Sequence, residues 1–191
     1  MTTPLPSKLA SVRDELQEAS ARFHRLVDTL DETTWGRSPV PGKWSIARCV
    51  EHLNMTSAAY LPIFRAAFKE ARVAGMIAKN PNYELDFWGW LLFKSIEPPI
   101  RFKMKTPDPF VPPTIEPKVK VVAEFDSLQR EIAGVLEENG DLDFAKVKIV
   151  SPFNAKVKYS AYAAYRIIPA HQRRHLLQAE HVFTALATQT R

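Results

Sequence analysis

The sequence has one cysteine, Cys49, so no disulfide can form within the chain. No apolar run approaches the roughly 20 residues that a helix needs to cross a bilayer, and no membrane span is expected. The opening "MTTPLPSKLASVRDELQ" lacks the basic start and unbroken apolar core of a secretory signal. These absences predict a cytoplasmic protein. Charge of one sign is never concentrated. The formal net charge of +5 is spread over 191 residues, in "RFKMK", "KVKV" and "RR". That density is below a nucleic-acid arm, and no zinc-finger or RNA-binding signature accompanies it. A solvated basic face is the plainer reading, and no nucleic-acid partner is expected. Low-complexity segments, internal repeats and runs of alternating strands are likewise missing.

What is present is a globular composition, 46% hydrophobic and 25% charged, long enough to bury a substantial core as one domain over residues 1–191. Four stretches carry apolar residues at steps of three and four, the period of a helix with one buried face. The first covers about residues 7–30, with Leu9, Val12, Leu16, Ala19, Phe23, Leu26 and Leu30 on its seam. The second covers about residues 45–75. Ser45 is its expected N-cap, and Pro62 predicts a kink or a break. The third covers about residues 117–138, opened by Pro117 and stopped by Gly140. The last covers about residues 160–188, capped by Ser160, with Pro169 a second expected kink. "KVKIV" is compatible with a short strand and "SPFN" with a turn. Residues 80–113 form a long insertion between helices 2 and 3, aromatic at its start and proline-rich at its end. It predicts a short helix near Phe87 to Ser95 and then an extended segment packed on the bundle, acting as lid, interface or plain cover. The pattern as a whole predicts an all-α four-helix bundle.

Three of the five histidines lie in "IIPAHQRRHLLQAEH". Each helical residue advances about 100°, which places His171 and His175 about 40° apart, in the middle of the apolar stripe. Arg173 and Glu180 point the opposite way. A buried imidazole with unsatisfied ring nitrogens costs about 1–3 kcal/mol. Two imidazoles one turn apart can meet that demand by sharing a cation, or by bonding to hydroxyl or backbone groups in the core. Gln178 shares their face one turn on, where its best functional use is to orient a ligand. His181 and His24 read as peripheral. On the second helix His52 lies at the margin of the apolar stripe, about 100° from Leu53. It is either a third ligand or a boundary histidine. Cys49 reads as a small core residue, and Glu51 as facing solvent or a neighbouring loop.

"GKWSIARCVEHL" opening one helix, then "SPFN" before a last helix bearing "HQRRHLLQAE", resembles the DinB/YfiT-like superfamily. The combination of W-S-(x)₆-H-L with a distant H-x-x-x-H-L-x-Q carries the resemblance. It implies a four-helix bundle of DinB/YfiT-like type holding a divalent metal on three histidines, which by motif are His52, His171 and His175. Zinc and nickel suit such a set best, and iron or manganese can also occupy it. Three neutral imidazoles leave at least one coordination position open. Characterised members include transferases and isomerases that use a low-molecular-weight thiol such as bacillithiol or mycothiol. The resemblance therefore implies metal-assisted thiol transfer to a small electrophile. The alternatives are metal-dependent hydrolysis, or a stress-linked bundle with a structural metal or with a protein partner bound through residues 80–113. A homodimer is compatible with long apolar faces. No general base is legible: Tyr60, Tyr162, Tyr165 and Arg174 are side chains of suitable type with no distinguishing signal.

Overall fold

Helix α1 (Ser7–Val27) buries the seam Leu9, Val12, Leu16, Ala19, Phe23 and Leu26, as its spacing dictates. The structure is a computed structural model and describes residues 4–99 and 105–189. The first helix was expected to reach Leu30, but it ends at Val27. Leu30 is still buried, reaching the core from the following turn. A short helix α2 (Glu32–Gly36), capped by Asp31, then seats Trp35 in the core.

Helix α3 (Ile46–Val73) is capped by Ser45, and α6 (Ala161–Gln189) begins directly after strand β2. Neither breaks at its interior proline. Proline inside a helix removes one hydrogen bond and crowds the carbonyl four residues earlier. For Pro62 that carbonyl belongs to Ala58, which is exposed, so water can satisfy it. Pro169 is buried and α6 also continues through it. Helix α5 (Lys118–Glu138) opens after Pro117 and is capped by Asn139, so Gly140 stands just past its end, where the stop was expected.

Among the described residues of 80–113 lie α4 (Phe87–Ile96) and a 3-10 turn (Asp108–Phe110). Before α6, strands β1 (Lys148–Ser151) and β2 (Asn154–Ser160) form an antiparallel hairpin, with Ile149 opposite Tyr159. The expected strand and turn are thus joined by a second strand that the sequence pattern did not indicate.

The long helices pack as a ring in the order α1, α6, α3, α5. Sequence neighbours α1 and α3 therefore sit across one diagonal of the bundle, and α5 and α6 across the other. The core divides into two apolar clusters. One holds Tyr60, Phe64, Phe68 and Tyr165; the other holds Phe23, Trp35, Leu53 and Phe125. On α3 the boundary falls between Leu53 and Tyr60, and on α6 between Ala170 and Leu176. Buried Asn54, Thr56, Ser57, Gln172 and His175 occupy that interval. A polar belt thus crosses the bundle at mid-height.

Candidate metal centre

His52 enters the belt from α3, whose start is fixed by the Ser45 hydroxyl accepting from Arg48 N–H at 3.3 Å. His171 and His175 enter from α6, one turn apart. The Ser160 hydroxyl fixes that helix start by accepting from Ala163 N–H at 3.1 Å. One ring nitrogen from each of the three histidines falls within 4.8 Å of the other two. Nε2 of His52 lies 3.2 Å from Nε2 of His171. The ring centroids are 4.5–5.0 Å apart and every pair meets edge to face. Residues 119 and 123 positions apart in sequence thus converge at one point.

Nδ1 of His52 is 2.7 Å from the carbonyl oxygen of Phe110. A carbonyl can only accept, so Nδ1 carries the proton and Nε2 presents a lone pair to the cluster. Phe110 belongs to the 3-10 turn; the proline-rich interval therefore sets the tautomer of His52. No side-chain pattern announces a backbone carbonyl, so the sequence held no signal for this contact.

Burial pushes the His52 imidazolium below its ordinary range, against the opposing pull of the Phe110 carbonyl. His171 is held well below 6.5 by burial, with smaller contributions from His175, His52 and Arg174. His175 falls to about 3, again mainly by burial, then through His52 and Arg174; the Gln178 side chain opposes the shift. All three rings are consequently neutral near pH 7, the state in which imidazole binds metal. Two nitrogens each about 2.0–2.1 Å from one tetrahedral ion lie roughly 3.3 Å apart, close to the His52–His171 spacing. Converging lone pairs, neutral rings and a fixed tautomer fit a divalent cation. They do not fit a self-satisfied core trio, because Nδ1 of His175 is buried with no hydrogen-bond partner.

A cavity of about 700 Å³ opens directly on this cluster. Trp44 forms part of its wall, 5.3 Å from the His52 ring and stacked 6.0 Å from His175. Gln178 and Arg174 line it beside the histidines, with Nη1 of Arg174 donating to the Ser95 carbonyl at 3.2 Å. Helix α4 supplies Leu91, Leu92 and Ile96, and the hairpin supplies Phe153 and Val157. Part of the interval from 80 to 113 is therefore cavity wall. Its residues 100–104 lie outside the described residues.

The α4 wall is clamped at both ends. Asp86 caps it by accepting from Gly89 N–H, and its other oxygen accepts from Ser160 N–H and Lys148 Nζ. Glu97, just past its end, takes two bonds from Arg173, which also reaches Glu15 on α1. The face of α6 opposite the histidines is thus occupied by ion pairs, Arg22 to Glu180 among them.

The other candidates lie away from the cluster. His24 pairs with Asp126 at 2.8 Å on the surface, and His181 is exposed. Cys49 is fully buried, and burial pushes its thiol up to about 12. Glu51 faces the loop before α5, accepting from Glu116 N–H at 2.7 Å. Tyr60 lines the cavity with its hydroxyl 2.6 Å from that of Tyr159. Tyr165 donates to the Ile132 carbonyl, and Tyr162 packs beside Tyr83. Among the described residues no helix is long and apolar enough to cross a membrane.

A sequence profile described as the DinB superfamily matches residues 15–179. Among solved structures the chain is similar to YfiT from Bacillus subtilis, described as a probable metal-dependent hydrolase with an unusual four-helix bundle topology. The two superpose with a TM-score of 0.61 at 16% identity, over 98% of this chain and 92% of that one. No curated protein matches the sequence.

Proposed function

The chain belongs to the DinB superfamily, and on that premise we propose that it is a divalent-metal-dependent enzyme acting on a small electrophile, with His52, His171 and His175 as the metal ligands. The observation that carries this reading is the position of three neutral imidazoles, with ring nitrogens within 4.8 Å of one another, at the wall of a cavity of about 700 Å³. A divalent ion bound there supplies a Lewis acid and lowers the pKa of a water or thiol at its open position. The chain's own residues do the rest. The Phe110 carbonyl holds His52 in the tautomer that directs Nε2 inward. Gln178, whose side chain acts on the His175 ring and lines the same cavity, is the residue placed to orient it. Trp44 and the clamped α4 wall the site on one side.

Thiol transfer is the leading reaction, with a low-molecular-weight thiol as nucleophile, because the cavity has room for an electrophile and a cosubstrate together. Cys49 is no substitute nucleophile, being buried with its thiol pushed up to about 12. Hydrolysis is the second reading, favoured by the description of YfiT as a probable hydrolase. The test starts with metal content per purified chain, with zinc or nickel expected near one equivalent. Turnover of an aryl halide is then followed with and without added thiol, beside cleavage of an activated ester without thiol. Thiol-dependent turnover supports transfer, and thiol-independent cleavage supports hydrolysis. A parent protein that takes up no metal overturns both.

A further inference from the structure

Tyr60 forms part of the cavity wall about two turns along α3 from His52, a rise of roughly 12 Å. The ring of Phe153, carried by the hairpin turn, stands between the two. Its centroid lies 6.2 Å from that of His171 and 6.0 Å from that of Tyr60. Leu92 and Ile96 of α4 and Val157 of β2 line the same cavity. Such a wall takes an apolar body in preference to a hydrated polar chain.

Three hydroxyls gather at the Tyr60 end. That of Tyr60 lies 2.6 Å from that of Tyr159, and the Ser151 side chain is a second hydrogen-bonding neighbour of Tyr159. Phe153 N–H donates to Ser151 Oγ at 3.3 Å, which ties this hydroxyl to the hairpin turn. Burial raises both phenols above their ordinary range, so each keeps its proton at neutral pH. Three O–H groups joined by two bonds leave one proton to donate elsewhere. Leaving it on Tyr159, which is fully buried, would strand a donor at the cost of its desolvation. The relay therefore runs in one direction, and the free O–H belongs to Tyr60 or to Ser151. Both are buried residues at the cavity wall. Ser57, buried at the same wall, makes no hydrogen bond among the described residues.

We propose that the Tyr60 end of the cavity is a subsite for an uncharged hydrogen-bond acceptor, a carbonyl-type oxygen borne on an apolar body that lies along Phe153, with the Tyr60–Tyr159–Ser151 hydroxyls supplying the donor. The hydroxyls bring no formal charge, so they suit a neutral oxygen better than a carboxylate, whose burial costs more than one hydrogen bond returns. A ligand without an acceptor leaves the O–H unpaired and is rejected for that reason. The proposal deepens the enzyme reading by naming the class of substrate, but the hydroxyls act without the metal. The two can therefore fail separately.

The test compares 2-acetonaphthone, 2-isopropenylnaphthalene and 2-naphthoate, which share one apolar body and carry a ketone, an isosteric alkene and an anion. Binding is followed by calorimetry or ligand-observed NMR on full-length protein, after chelation and again after zinc loading. The readout is the affinity ratio of ketone to alkene in parent and variants. In chelated protein that ratio should fall about three- to tenfold when Tyr60→Phe and Ser151→Ala are combined, the loss of one hydrogen bond. The two single variants show which end donates, and their thermal melts show that the fold is kept. Phe153→Ala should weaken ketone and alkene alike and leave the ratio unchanged. A ratio that survives the combined variant overturns the proposal, as does naphthoate binding more tightly than the ketone. Failure of the ketone to bind at its solubility limit also overturns it. A ketone preference that appears only with zinc and ignores the combined variant places the oxygen on the metal, which sinks this proposal and leaves the metal reading intact. A hydroxyl-dependent ratio in a protein that takes up no zinc does the reverse.

Discussion

His52, His171 and His175 differ in how each is held, His52 by the Phe110 carbonyl, but under the proposed reading they are equivalent as donors. Each supplies one of three imidazoles, so His52→Ala or His171→Ala removes a third of the donor set and should leave purified protein without retained metal. Elemental analysis after gel filtration checks this, and a variant that keeps a full equivalent would place the metal elsewhere. If Gln178 orients His175 as proposed, Gln178→Ala should retain metal at reduced affinity. Loss of an orienting partner costs about 10–100-fold in metal affinity, which competition with a chromophoric chelator can measure. An unchanged affinity would reduce Gln178 to a filler of space. Of these residues the sequence pattern alone brought out the i, i+4 pair most clearly, because its spacing and apolar flanks encode its face. His52 gained weight from the motif resemblance, since a residue at a stripe margin has two readings until its neighbour helix is known. The Phe110 carbonyl was illegible, since its contact depends on how an irregular segment lies against α3.

At the scale of elements, glycine separates the wall from the scaffold. A Cβ added at Gly89 in α4 would fall inside contact distance of Ala163 Cβ on α6 and of Asp86 Oδ1, whereas one added at Gly134 in α5 meets nothing within 4 Å. Gly89→Ala must therefore push α4 away from α6, at the 1–3 kcal/mol typical of overpacking. Gly134→Ala should stabilise by about 0.5–1 kcal/mol, because alanine loses less backbone entropy in a helix. Denaturant midpoints with an unchanged slope would show the opposite signs, and equal signs would mean that α4 is not packed as described. The same contrast explains what the sequence disclosed. Helices α1, α3, α5 and α6 bury one face each, so their periodicity is visible. In β2 the first five residues are exposed or half-exposed and only Tyr159 and Ser160 are buried. No alternation marks it as a strand, and its order comes from pairing with β1 and docking on α4. Leu30 misleads in the other direction, being buried like a seam residue but delivered by a turn.

For the whole molecule, placing three neutral imidazoles in a belt between two apolar clusters links folding to metal and to pH. A ligand bound only by the folded chain stabilises it by about 2.7 kcal/mol at a hundred times its Kd. Zinc should therefore raise the Tm of the parent and leave that of His52→Ala unmoved. The metal-free protein should show the corresponding weakness in acid. In the unfolded chain these histidines titrate near 6.5, but in the folded chain all three are lowered, His175 to about 3. Below pH 6.5 the unfolded chain therefore takes up protons that the folded chain refuses, and stability falls as pH falls, by about 1.4 kcal/mol per unit for each proton not matched. The loss from His175 continues until pH approaches 3. Glu51, whose carboxyl is raised by burial, acts with the opposite sign but is a single group. The lowered carboxylates Asp31, Glu116 and Asp141 contribute only below their unfolded values near 4. Between pH 6.5 and 4.5 the slope thus belongs chiefly to the histidines. Unfolding free energy of the chelated protein should fall steeply across that window and less steeply in His175→Asn; saturating zinc should raise the whole curve without flattening it, because the metal keeps the folded rings unprotonated while the unfolded chain still takes up protons. A flat profile in the chelated parent would mean that the three rings reach solvent easily, and the account of a desolvated, metal-ready cluster would be wrong.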